Sequence, residues 1–212
     1  MNMQLKPLDV CLYTGHSTTS KIIRFLTSVR YGIPYKECRS HIDIRYDNEQ
    51  NISAEPKGTM LVNFEDSLNN NDITVYRFKN LPDLEFFYHI ADELLGRKYA
   101  YARYFLDASR IFSFVFGVSG VVLSLFSFTV NMGFFIALLT FQLGSVWLRK
   151  VDAQTYDCSE TSSTILTGLN LLSSISSKLR NEFPNSIESQ LKLLVKNGLV
   201  DVVFIHLAKQ TQ

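Results

Sequence analysis

The spacing of apolar and polar residues changes period several times along the chain. LDVCLY (residues 8–13) predicts a short strand. In TTSKIIRFLTSV (18–29) the apolar residues recur at helical spacing, with Thr or Ser available as the cap, so a helix is expected there. YGIPYKEC reads as a loop. SHIDIRY (40–46) alternates and predicts a strand, DNEQN a turn, and ISAE (52–55) a second strand. After PKG comes another strand, TMLVNF (59–64); SLNNND is then a polar loop, and ITVYRF (73–78) a further strand. PDLEFFYHIADELL (82–95) is an amphipathic helix with Pro and Asp at its start and Gly96 at its end.

Beyond an apolar stretch, the pattern predicts a helix over 159–173, a break at NEFPNS, a helix over 186–197 ending at Gly198, and a closing buried strand, LVDVVFIHL. A helix, a block of antiparallel strands and then helices argue for an α+β fold rather than a doubly wound sheet. Neither internal repeats nor low-complexity tracts interrupt it.

The apolar stretch changes this picture. Residues 111–148 carry no charge over 38 positions, between Arg110 on one side and Arg149 and Lys150 on the other. One membrane-crossing helix takes about 20 apolar residues, so the length suffices for two, with Asn131 and Gly133 as a turn near the middle. Its Gly, Ser and Phe content suits close helix–helix contact. The expected organisation is therefore 1–110 and 149–212 as two parts of one domain, with 111–148 as an inserted helical hairpin.

Composition narrows the classes of partner. The 212 residues include 21 basic and 20 acidic ones, a net charge of +1, so no basic patch for nucleic acid is expected. The three cysteines, Cys11, Cys38 and Cys158, form neither a disulfide framework nor a CxxC zinc pair. The N-terminal residues lack a long apolar run, so no signal peptide is expected.

Cys158 carries the candidate chemistry. It opens the Ser/Thr-rich stretch DCSETSS at the head of a predicted helix, where first-turn N–H groups and the dipole favour a thiolate; the alternative is an inert buried thiol. A thiol nucleophile needs a base, and the base an orienting group. Of the four histidines, His41 is best placed, at the start of the strand SHIDIRY. Ser53 and Glu55 share one face of the next strand, and either can lie beside His41 in a hairpin closed at DNEQN. Asp43 shares His41's face but is expected to sit beyond the imidazole.

These residues, in this order, resemble the circularly permuted branch of the NlpC-like, papain-fold cysteine amidases and peptidases, which includes the lecithin–retinol acyltransferase relatives. The resemblance lies in DVCLYTGHSTTSKIIRFLTS, SHIDIRYDNEQNISAEPKG, LGRKYAYARYF and YDCSETSS, and in PNSIESQL before a final strand. It covers most of the chain apart from 111–148. It implies a permuted papain-like domain, an antiparallel sheet packed on helices, with Cys158 as nucleophile and His41 as base. Tyr99 would line the substrate cleft, and Asp157 and Ser159 would flank the nucleophile and help hold substrate. For the third catalytic position Ser53 fits the commonest register and Glu55 the better chemistry; Glu55 is preferred. The loop YGIPYKEC and the lack of a glycine-rich stretch after the Tyr depart from the family pattern.

The implied chemistry is acyl transfer through a thioester, with the Cys158 N–H helping to bind the oxyanion and no metal or cofactor required. Because His41 and Tyr99 precede the apolar stretch and Cys158 follows it, a single membrane crossing would separate them. The stretch is therefore a two-helix hairpin with both ends on one side, in keeping with its basic flanks, or a helix pair buried against another protein. The expected function is an amidase or endopeptidase acting on peptidoglycan peptides, membrane-associated or part of a phage particle. The alternatives are a membrane-bound thiol acyltransferase or lipase acting on lipid acyl groups, and a structural protein that keeps the fold.

Overall fold

The structure, a computed structural model, describes residues 4–68, 71–99, 157–172 and 184–206. All of them belong to one compact unit assembled from both ends of the chain, Met1–Tyr99 with Tyr156–Gln212. The expected hairpin at 111–148 lies outside the described residues.

Six strands form one antiparallel sheet: β1 (Val10–Gly15), β2 (His41–Arg45), β3 (Gln50–Glu55), β4 (Gly58–Asn63), β5 (Asn71–Phe78) and β6 (Val200–His206). Their spatial order is β4-β3-β2-β1-β5-β6, so β1 is central, and all six of its residues are buried. The helices are α1 (Thr18–Tyr31), α2 (Phe64–Leu68), α3 (Leu84–Leu94), α4 (Cys158–Gly168) and α5 (Pro184–Lys196), with a 3-10 turn at Tyr35–Glu37. The fold is α+β.

Alternation along the strands builds two cores. Val10, Leu12, Ile42, Ile44, Ile52 and Ala54 face one side, where they meet Phe87 and Ala91 of α3, Ile165 and Leu166 of α4, and Ile187 and Leu191 of α5. Side chains buried to this degree contribute about 1.5–3 kcal/mol each by leaving water. The opposite phase, Cys11, Tyr13, Ile73 and Val75, forms a smaller cluster with Leu5 and Phe64. His41 and Asp43 share this second phase: Tyr13 pairs with His41 and Cys11 with Asp43.

Local chemistry sets the helix ends. The Ser17 hydroxyl accepts from the Ser20 N–H at 3.2 Å, and Gly32, with φ 63°, closes α1 in the left-handed conformation. Asp83 caps α3 by accepting from the Glu85 N–H at 2.9 Å. Asp157 does the same for α4, accepting from the Glu160 N–H at 2.8 Å.

Several sequence expectations differ from the structure: α4 ends at Gly168 rather than 173, α5 starts at Pro184 inside the expected break, and β3 starts at Gln50 inside the expected turn. A short helix, α2, begins at Phe64, where the pattern predicted the end of a strand running into a polar loop. Acidic residues in its first turn and the Asn63 side chain, which accepts from the Glu65 N–H, favour that start. β5 begins at Asn71, two residues early, because Asn71 and Asp72 pair with Gly15 and Thr14 of the central strand. The last strand, expected to be buried, is an edge: Val200 is buried but Val202 and Ile205 are exposed.

Candidate active site

His41 opens β2, and its imidazole lies among polar groups from β2, β3 and α4. Nε2 is 2.6 Å from Asp43 Oδ1 and 2.8 Å from Ser53 Oγ. Ser53, fully buried, donates its hydroxyl hydrogen to Glu55 Oε1 at 3.1 Å, so its oxygen is left to accept from the imidazole. Glu55 Oε1 itself is 3.7 Å from Nε2, and the Glu55 side chain is 39 % exposed. The Tyr13 ring, 5.6 Å away between centroids, supports the imidazole.

The Nε2 edge of the imidazole ring faces Ser53, by hydrogen bond, and the Asp43 carboxylate, by charge. Cys158 is the first residue of α4 and lies close enough to His41 for the charges of the two groups to couple. α4 packs against β2 beside this contact, where Ser162 Oγ donates to the Ile42 carbonyl at 3.5 Å. Burial by itself pushes the imidazole towards its neutral form. The negative charge of Asp43, and then that of Cys158, outweighs burial and holds the imidazolium well above the usual histidine range.

The other two cysteines lie in different surroundings. Burial pushes the Cys11 thiol far up, helped by the Asp43 and Asp9 carboxylates. Burial also raises Cys38. Both remain protonated thiols at neutral pH, and no disulfide joins any of the three.

A cavity of about 750 Å³ reaches the site. His41, Asp43, Glu55 and Tyr99 line it, together with the start of α1 and residues Met60–Asn63 of β4. Its described lining contains three carboxylates, of Asp43, Glu55 and Asp66, and neither Lys nor Arg. Cys158 is 1 % exposed and is not part of the wall, so the cavity reaches the imidazole and not the sulfur.

The structure thus brings His41, Cys158, Ser53 and Glu55 together and places Tyr99 on the cavity wall. Asp157 and Ser159 flank Cys158 in the chain and, like it, are buried and off the cavity wall; the Asp157 carboxylate accepts from the Glu160 N–H as the cap of α4. Asp43 is the carboxylate nearest the imidazole, although the sequence suggested that it lay beyond the ring. Residues i and i+2 of a strand are only about 7 Å apart, and a histidine at the strand's first position can lie back along it. The shared face was the available signal.

Among the described residues, no group of three His, Cys, Asp or Glu side chains is placed to hold a metal ion, and no helix is long and apolar enough to cross a membrane. The chain matches no family model and none of the curated proteins.

Proposed function

We propose that the chain is a cysteine hydrolase of the permuted NlpC-like papain fold, an amidase or endopeptidase that cuts peptide amides in peptidoglycan. The observation that carries this reading is the set of groups around His41: Cys158, whose charge couples with the imidazole, and Asp43 and Ser53 at its Nε2 edge. In the proposed reaction His41 holds the proton taken from the Cys158 thiol, and the thiolate attacks the amide carbonyl. The N-terminal end of α4 favours both the thiolate and the negative charge that develops on the carbonyl oxygen. His41 then gives its proton to the leaving amine as the C–N bond breaks, leaving a thioester on Cys158. Water, losing a proton to His41, hydrolyses the thioester and restores the thiol. Asp43 and Ser53 hold the imidazole in the orientation both steps need, and no cofactor takes part. Because Cys158 is not on the cavity wall, productive binding requires the wall beside His41 to give way.

The lipid-directed alternative, a thiol acyltransferase or lipase, is favoured by the uncharged stretch 111–148, which in either reading is the contact to a membrane or to a protein partner. Against it stands the cavity lining, whose carboxylates repel a phospholipid phosphate. Burial of Cys158 favours the non-catalytic alternative. The proposed location is membrane-associated or within a phage particle, and nucleic acid is not a proposed partner.

Mass spectrometry of a muropeptide mixture incubated with the protein or with Cys158→Ala tests the reading. New peptide fragments from the wild type alone are expected. Deacylated lipid from added phospholipid vesicles would move the assignment to lipid chemistry. No product from either substrate would end the catalytic reading.

A further inference from the structure

Tyr13, on the central strand, bridges to a strand two places away. In the sheet register it pairs with His41 of β2, whereas Asn51 of β3 pairs with Arg45. Asn51 nevertheless donates from Nδ2 to the Tyr13 hydroxyl oxygen at 2.8 Å. Side chains of a strand share a face at every second residue, so His41, Asp43 and Arg45 stand in a row on β2. A bond that starts beside His41 on β1 and ends beside Arg45 on β3 therefore crosses β2 over the residue between them, Asp43. The side chains of Tyr13, Asp43, Arg45 and Asn51 are all buried.

The direction of each bond follows from what the groups can offer. A guanidinium only donates, so the Asn51 oxygen faces Arg45 Nη1, 3.2 Å away, and the Asn51 amide nitrogen is turned to Tyr13. Arg45 is itself fixed: it donates to the carbonyls of Glu49, at 3.3 Å, and of Asn48, and lies 4.9 Å over the Phe64 ring. The phenol oxygen thus accepts from Asn51, and its own hydrogen is left to give. Asp43 needs that hydrogen. Its Oδ1 meets His41 by charge at 2.6 Å and accepts no hydrogen bond among the described residues. The two groups are neighbours: burial, and after it the Asp43 charge, pushes the phenol well up. Ser67 also lies near the phenol, but a carboxylate is the stronger acceptor. The other titratable or charged groups about Asp43 are His41 and Arg45 on its own strand, and Cys11, its partner on β1; Asp66 of α2 lines the same cavity.

We infer that Tyr13 is a positioning residue: it gives its hydroxyl hydrogen to Asp43 and holds that carboxylate towards His41, with Asn51 and Arg45 fixing the direction of the bond. The hydrogen bond stands independently of any reaction; its part in catalysis rests on the hydrolase reading.

Tyr13→Phe removes the hydroxyl and keeps the ring against the imidazole. The test is a pH titration of the Asp43 carboxyl carbon by NMR, with the signal assigned by its loss in Asp43→Asn. Losing a donor disfavours the carboxylate, so the midpoint is expected to rise by about one pH unit in Tyr13→Phe, the scale of one hydrogen bond to a charged group. A midpoint that stays or falls overturns the inference. If Tyr13→Phe does not fold, or acid unfolds the chain before Asp43 titrates, the ring carbon that bears the Tyr13 hydroxyl carries the test at neutral pH. Its signal should move between the wild type and Asp43→Asn, which offers an uncharged acceptor; the same position in both overturns the bond. On muropeptides, Tyr13→Phe is expected to lower kcat about fivefold with KM kept, and an equal kcat overturns the positioning role. If the wild type cuts no muropeptide, the hydrolase reading fails, and the NMR result alone decides the bond.

Discussion

Two polar clusters meet at the start of β2, on either side of Ser40, and they handle buried charge differently. In the first, the Arg39 guanidinium lies 2.6 Å from Glu188 of α5 and also donates to Thr14 at 3.0 Å and Thr74 at 3.2 Å. Tyr76 donates to the same carboxylate at 3.3 Å, and Lys192 lies 3.2 Å from it. Asn185 accepts from the Arg39 N–H at 2.6 Å and donates to the Glu37 carbonyl at 3.0 Å. Burial raises the Glu188 carboxyl, but the hydrogen bond and charge of Arg39 overcome it and leave the group below its usual range. The second cluster surrounds His41, whose proton is exchangeable and whose partners include a thiol. A guanidinium keeps its charge at any ordinary pH, so the first cluster acts as a staple between α5 and the sheet. An imidazole beside a thiol and open to a cavity is equipped to move a proton.

Breaking each cluster should therefore cost something different. The largest effect on activity is expected from Cys158→Ala or His41→Ala: loss of about a thousandfold or more in kcat on muropeptides, the urea midpoint staying close to wild type for Cys158→Ala and falling for His41→Ala, which leaves the Asp43 carboxylate without its partner. Glu188→Gln should do the reverse. It leaves a half-buried guanidinium without its carboxylate and is expected to cost about 1–3 kcal/mol in urea unfolding, with kcat kept in the fraction that remains folded.

Asp43→Asn removes the main charge that sustains the imidazolium. The alkaline limb of the kcat/KM profile should move to lower pH, and kcat should fall about tenfold. Ser53→Ala should cost more than Glu55→Gln, roughly fivefold against twofold, because Glu55 meets the imidazole chiefly through the Ser53 hydroxyl; the two kcat/KM values check this.

Stability against pH separates the clusters as well. The raised folded-state value of His41 means that its contribution is complete below about pH 6.5 and is lost as pH rises through that raised value. The lowered value of Glu188 means that its contribution is present above about pH 4.3 and is lost as pH falls through the folded value. Urea midpoints measured across pH should lose the alkaline decline in His41→Gln and part of the acid decline in Glu188→Gln.

The legible parts of the sequence were those where local signals and tertiary need agree. α3 carries its own Pro-Asp start and an apolar stripe, and β2 and β3 show the alternation of half-buried strands. What was hidden depended on pairing across the chain. β6 reads as buried by composition, yet among the described residues it forms an edge, paired with β5 alone. The staple joins residues 149 apart, Arg39 and Glu188, and no short motif announces it. At the site, residue types and order pointed to His41 and Cys158. The part played by Asp43 depended on how one ring lies along its strand, and the capping by Asp157 on where α4 begins.

The most direct test of the central claim, that His41 and Cys158 form a coupled nucleophile–base pair sustained by Asp43, is an NMR titration of the histidine side chains. With four histidines in the chain, His41 can be assigned by its loss in His41→Gln. The account predicts that the His41 imidazolium persists well above the ordinary value of about 6.5, and that Cys158→Ala and Asp43→Asn each lower its pKa. Titration near 6.5 in the wild type, unmoved by Cys158→Ala, would contradict it.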